Sequence, residues 1–370
     1  MASNKFTPHV KEPLVRVVRR DNLPMWKAWL YRLIAIVLAI GLVDVFVFSI
    51  TGLDPVGVMT VMWEGTFGNI VCTSASIALI MKLLLISVAL APAFKMKFWN
   101  IGAEGQVLAG ALATAVVMVT FSNLPNSVLI PFMVVSAILA GGIWGLIPAL
   151  FKAKWGVNET LFTLMMNYVA MSLVDFFVNQ NKGDRASIGT LNVDTEKGWL
   201  PKLGMEINWT VVIVVLIITV LMFIYLKYTK QGYEIAVVGE SINTAKYAGI
   251  SVKKTIIRTM VISGVICGIC GFLSVAGEDQ TISRNTAGGY GFTAIIVAWL
   301  AKFNTLFMIL ISAFIIFLEQ GTKAISDEYV SVGFNESACK MVVGLVLFFV
   351  IACEFFINYS LAFRRTRKEK

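Results

Sequence analysis

Residues 81–120 read MKLLLISVALAPAFKMKFWNIGAEGQVLAGALATAVVMVT. One apolar run closes near Phe94, lysines follow at 95 and 97, and a second run opens near Glu104. Crossing the hydrocarbon core of a bilayer takes about 20 apolar residues, so two crossings meet in this stretch. Between them stands NIGAEGQ, residues 100–106, where a plain span would need apolar side chains. Its glutamate, amides and glycines predict a broken start to the second helix, with Gly102 and Gly105 allowing another backbone to come close. Glu104 falls in the first turn of that helix, where free N–H groups favour a carboxylate.

The rest of the chain has the same character. Of 370 residues, 58% are hydrophobic and only 14% charged, and mean hydropathy is +0.80. Soluble domains carry about 25% charged residues, so a soluble fold is excluded. Setting apolar runs against their breakers predicts an all-α, polytopic membrane protein of about ten spans. They lie near 29–50, 73–94, 104–121, 126–150, 160–178, 209–226, 255–276, 288–301, 304–322 and 338–359. Residues 1–28 form a basic arm too long and polar for a cleaved signal, 29–362 the membrane domain, and 363–370 a basic tail. With the N-terminus inside, 23 of the 31 lysines and arginines fall in cytoplasmic segments. Both ends are therefore expected in the cytoplasm and the protein in the cytoplasmic (inner) membrane. The net charge of +9 then reflects topology, and anionic lipid headgroups are its natural partners. Nucleic acid is not expected, since no aromatic or motif support accompanies the charge.

Chemistry-bearing clusters are scarce. The CGIC of Cys267 and Cys270 lies mid-span in TMVISGVICGICGFLSVAG, so small residues for helix packing explain it better than a redox pair. His9 is the only histidine, and no ligand spacing suggests a metal. A loop over 179–208 mixes both charge signs and is expected outside the cell. The longest internal cytoplasmic loop, 228–254, contains ESINTAKYAGI, with Ile242, Ala245 and Ala248 at helical spacing and Gly249 as a stop. It predicts a short helix across the cytoplasmic face, which pattern alone leaves as either a docking element or a surface feature.

Polar groups inside spans mark the candidate path. A charge at mid-span costs about 2.5–3.5 kcal/mol even on lenient scales, so it faces the bundle interior, a partner or water. Lys82 lies at the centre of the second span, with Asn100, Glu104, Gln106, Asn158, Glu159, Asn167 and Asp175 flanking it in sequence. Each could equally be interhelical glue. A second polar, glycine-rich start, NTAGGYGFTAIIVAWLA at 285–301, mirrors the first in the other half of the chain and runs in the opposite direction. Paired breaks in inverted halves point to a transport path. Glu104 or Glu159 is the expected partner of Lys82. An ion-coupled secondary transporter, a membrane enzyme and a structural subunit stay open at this level.

Four ordered blocks carry a resemblance: FWNIGAEGQVLAGALATA, KWGVNETLFTLMMNYVA, GYEIAVVGESINTAKYAGISVKKT with SGVICGICGFLSVAG, and GYGFTAIIVAWLA. In order and spacing they resemble the permease subunits of binding-protein-dependent ABC importers, in the group serving simple sugars and nucleosides, and most resemble the nucleoside permeases. The resemblance covers about 70–355. It implies no enzymatic activity and no cofactor in this chain, with ATP and Mg bound by a cytoplasmic ABC ATPase. That fits the absence of a G-x-x-x-x-G-K-[ST] loop. It further implies a second permease copy or paralogue and an extracytoplasmic solute-binding protein or lipoprotein. Gly232, Gly239, Glu240, Ala245, Ala248 and Gly249 would form the ATPase-coupling segment. Asn100, Glu104, Gln106, Asn158, Glu159 and Asn167 would line or support the path, and Tyr290 and Lys82 join them as intramembrane candidates. Two departures stand out: Lys82 itself, and Ile235 where the coupling block usually has an arginine.

Overall fold

The computed structural model describes residues 15–19, 24–52, 54–183, 187–201, 203, 206–329 and 333–363. Most of the expected basic arm, with His9, and the tail beyond residue 363 lie outside the described residues. In chain order the elements are β1 (Val15–Arg19), α1 (Met25–Thr51), α2 (Pro55–Phe67), α3 (Ile70–Lys95), α4 (Ala103–Thr120), α5 (Asn126–Trp155), α6 (Glu159–Asn181) and α7 (Trp209–Tyr228). Then come α8 (Lys230–Glu240), α9 (Ile242–Tyr247), α10 (Val252–Phe272) running into a π-turn (Leu273–Glu278), α11 (Tyr290–Leu300), α12 (Thr305–Tyr329), α13 (Glu336–Asn358) and β2 (Tyr359–Phe363). The protein is an all-α polytopic membrane protein with one small exception, the antiparallel ribbon of β1 and β2. Helix ends follow local chemistry. Asn69, Asn158 and Asn335 cap α3, α6 and α13 with side-chain oxygens, while Gly52 and Gly156 close α1 and α5 in the left-handed conformation.

Eight helices are long and apolar enough to cross a membrane, and a ninth crossing results if α1 and α2, bent by 92°, count as one span. The expected count of ten spanning helices is corrected at 288–301. There α11 has 11 residues, a rise of about 16 Å against a core of about 30 Å. Gly288 and Gly289 before it, and Lys302 and Phe303 after it, all have positive φ, so the chain turns away at both ends. The return path is shared between residues 279–289, a strap without regular helix, and the half-length α11.

The chain divides into two compact units, Met1–Gly65 with Gly321–Lys370, and Thr66–Gln320. In the first, α1 packs along α13 and the ribbon pairs Val15 with Phe363 through Arg19 with Tyr359, bringing the two ends of the described chain together. In the second, α10 is the central helix, packed on α5, α4 and α3. Glycines set its distance from these neighbours. A Cβ on Gly110 would lie 2.5 Å from the Cα of Gly268, one on Gly141 would lie 2.7 Å from the same atom, and one on Gly271 would meet the backbone of Val107 and Ala111. Small residues thus bring three backbones together, which is the role expected of CGIC, and both of its cysteines are buried and free.

This second unit has two chemically different ends. At one, Lys95 at the foot of α3 donates to the Leu226 carbonyl near the end of α7 (3.3 Å), and Arg258 near the start of α10 pairs with Glu234 of α8 (2.9 Å). At the other, residues 187–201 and 206–208 are bonded to the helix ends. Asn192 donates to Met118 O (2.9 Å), Gly198 N to Asn126 (3.0 Å), Leu200 N to Ala276 O (2.8 Å) and Asn208 to Gly277 O (2.9 Å).

Candidate translocation site

The break before α4 is held by amides and a hydroxyl. Asn100 Oδ1 accepts from Gly102 N (3.0 Å), while its Nδ2 donates to Ser263 Oγ (3.3 Å) and Gln106 Oε1 (3.4 Å). From α6, Asn167 accepts from Gly105 N (2.9 Å) and donates to Ile101 O (2.9 Å), and Thr163 Oγ1 accepts from Ile101 N (3.2 Å). Asn100, Gln106 and Asn167 are all buried. Exposed backbone at membrane depth is tolerated only when such partners satisfy it. Asn167 lies eight residues into α6, about 12 Å from its start, so the break is well inside the bundle. Trp144 Nε1, buried and without a hydrogen-bond partner among the described residues, faces the same spot, 3.1 Å from where a Cβ on Gly105 would stand.

Glu104 does something its sequence position does not reveal. It sits in the first turn of α4, yet its carboxylate accepts from Gly289 N (2.9 Å) and Gly291 N (2.8 Å) at the start of α11. Glu104 is 2% exposed, and its bond to Gly291 N is formed away from water, while exposed Gly289 places the other at the rim. The two broken starts therefore meet, and one carboxylate lies between two helix N-termini, each a partial positive charge. Closeness is essential here: a Cβ on Gly291 would stand 2.5 Å from Glu104 N.

Lys82 has a different partner from the two acids expected for it. Its Nζ pairs with Asp279 Oδ2 (3.1 Å) and donates to Thr286 O (3.3 Å), both in the strap. Glu104 is occupied by backbone N–H groups, and Glu159 pairs with Lys152 (2.7 Å) across the α5–α6 corner. Asn158 caps α6 at that same corner, accepting from Thr160 N and Leu161 N. Asn158 and Glu159 thus stand apart from the Asn100–Glu104–Gln106–Asn167 group. The hydroxyl of buried Tyr290 hydrogen-bonds the Glu319 carboxylate on α12. Asp175 on α6 lies 3.8 Å from Arg284 of the strap.

Sequence reasoning missed Thr163, Ser263, Asp279 and Glu319. Glu319 carried a readable signal, being a carboxylate inside an expected span. Asp279 did not, because GEDQ between two spans reads as an ordinary loop.

At the opposite end from residues 187–208, α8 and α9 form an elbow. A Cβ on Gly239 would collide with Lys95 O, and one on Gly232 would stand 2.5 Å from Tyr225 O, so both glycines let α8 lie directly on the ends of α3 and α7. Ser241 caps α9 and Gly249, at φ +73°, ends the elbow. Ile242, Ala245 and Ala248 do not form a common buried side: Ala245 is buried, Ile242, Ala248 and Glu240 are exposed, and Tyr247 is 94% exposed. Six residues are too few to bury a whole stripe. Ile235, the departure from the usual arginine, is fully buried, so an apolar residue fits there.

A helical membrane bundle in which the broken starts of α4 and the half-length α11 face one another, with an elbow packed on the helix ends at one side, is the architecture of a transport permease. The chain belongs to the family described as branched-chain amino acid transport system / permease component, which matches residues 72–351. It is 28% identical over 323 residues to the guanosine ABC transporter permease protein NupP of Bacillus subtilis, covering 86% of this chain and 91% of that one. It is 28% identical over 361 residues to the glucose ABC transporter permease protein TsgB13 of Haloferax volcanii, covering 94% and 93%. With the nucleoside ABC transporter permease protein NupB of Lactococcus lactis it shares 27% identity over 291 residues, covering 75% and 78%.

Proposed function

We propose that this chain imports a nucleoside or simple sugar across the cytoplasmic membrane, by alternating access powered by ATPase subunits that bind the α8–α9 elbow. The observation that carries the reading is the meeting of the two broken helix starts at Glu104, in a chain similar to permeases for guanosine, nucleosides and glucose. Inverted breaks of this kind let one half rock against the other around a central path. Asn100, Gln106 and Asn167 hold the first break in shape, and Glu104 joins it to the second. The path runs beside this joint, with Tyr290 and Lys82 on its strap side and Asn158 and Glu159 at the α6 corner. An uncharged, polyhydroxylated solute calls for hydrogen-bonding groups more than for fixed charge, and Trp144 Nε1 supplies a donor with no internal claim on it.

The elbow supports docking of an ATPase, since Gly232, Gly239 and Ala245 seat it while Glu240, Ala248, Gly249 and Tyr247 face outward. A second permease copy or paralogue completes the path, and a solute-binding protein or lipoprotein delivers the solute to residues 187–208. Reconstitution into liposomes tests the whole. Labelled guanosine or glucose should accumulate only when ATPase, ATP and binding protein are present. Accumulation by the purified chain under an ion gradient, without nucleotide, would overturn the reading.

A further inference from the structure

Residues 279–291 are tied to the rest of their unit at graded strengths. The buried Glu104 carboxylate holds Gly291 N out of water and Gly289 N at the edge of the buried zone, and Lys82, 10% exposed, holds Asp279 and Thr286 O. The third tie, Arg284 Nη1 to Asp175 Oδ2 at 3.8 Å, is the loose one, with side chains 57% and 45% exposed. Exposed pairs at this separation contribute little to stability. Yet this pair stands where a small energy has leverage. The buried residues of α6 are Thr163, Asn167, Ala170 and Val174, so the remaining turns from Asp175 to Asn181 are held by nothing more than the half-buried Asp175, Phe177 and Val178. The strap is also bonded to the loop at the same end of the bundle. Leu191 N donates to Gln280 O (2.8 Å) and Thr281 Oγ1 to Gly189 O (2.6 Å), on the far side of Arg284 from the Glu104 joint.

We propose that Asp175 and Arg284 form the latch of the path's mouth at the end carrying residues 187–208. They join the free end of α6 to the strap in the state described, and part when the mouth opens. A load on residues 189–191 reaches the latch through Gln280 and Thr281, and the buried Glu104 clasp stays closed as the pivot. Asp175 and Arg284 are thus positioning residues of transport. The inference rests on the chain working as a permease.

Two experiments in membrane vesicles holding the assembled transporter test it, with labelled guanosine and glucose as probes. In a Cys72→Ser background, Asp175→Cys with Arg284→Cys is bridged by a short bifunctional thiol reagent. Uptake should fall about tenfold and return on reduction. Separately, Asp175→Arg and Arg284→Asp should each lower uptake about fivefold, and the double exchange should return it to within about twofold of wild type, with thermal midpoints unchanged throughout. Wild-type uptake by the bridged protein overturns the latch, as does a fall in uptake that tracks a fall in thermal midpoint. Absence of ATP-dependent uptake by the wild type overturns the permease reading instead.

Discussion

Glu104 spends both oxygens on backbone N–H groups of another helix, so its replacement is not a simple loss of charge. In Glu104→Gln the amide nitrogen is a donor facing a donor, so either Gly291 N or the amide's own N–H is left unsatisfied in a buried place. The cost should be about 1–3 kcal/mol, read as a lowered thermal midpoint in detergent, with uptake reduced as well. Unchanged midpoint with lost uptake would instead place Glu104 on the solute. The sequence marked this residue through its carboxylate at a helix start. It could not name the partner, because the contact is to the main chain some 185 positions away. The same limit explains Lys82: its depth was readable from the span, but Asp279 is brought to it only by the fold of the strap.

At the scale of elements, the tight interface of α4, α5 and α10 rests on glycine. Gly268→Ala would press a methyl group into Ala137 O and against the Cα of Gly141, forcing backbones apart at a cost of about 1–3 kcal/mol. Gly344→Ala, where nothing lies within 4 Å, should be neutral or stabilising by about 0.5–1 kcal/mol. Paired thermal melts separate the two cases, and equal effects would refute the packing account. Eight of the nine expected spans from 73–94 to 338–359 were legible because long apolar runs between turn formers leave one solution; the ninth, 288–301, read as a span only because apolar content does not record where the backbone turns. Lys302 and Phe303 in the left-handed region carry no sequence signature, and neither does the π-turn that opens the strap. The short helix α9 was legible from its spacing and from Gly249 as a stop, while its exposed side was not, since a helix this short obeys its Ser241 cap before its periodicity.

For the whole molecule, the ribbon of β1 and β2 makes a claim that hydropathy alone does not. Strands that exchange hydrogen bonds from Val15–Phe363 to Arg19–Tyr359 require both ends of the described chain on one side of the membrane. Reporters fused at either terminus should therefore share a side. Reporters on opposite sides would contradict the ribbon.

The joint at Glu104 also has a consequence for anyone comparing relatives of this chain. Contacts between two side chains leave correlated substitutions, which is how spatial neighbours are often inferred from alignments. Here a side chain meets main-chain N–H groups, which every residue except proline carries. The central contact between the two halves should thus be invisible to covariation, and its trace should be one-sided: an acid at 104, and at 291 a residue without a Cβ.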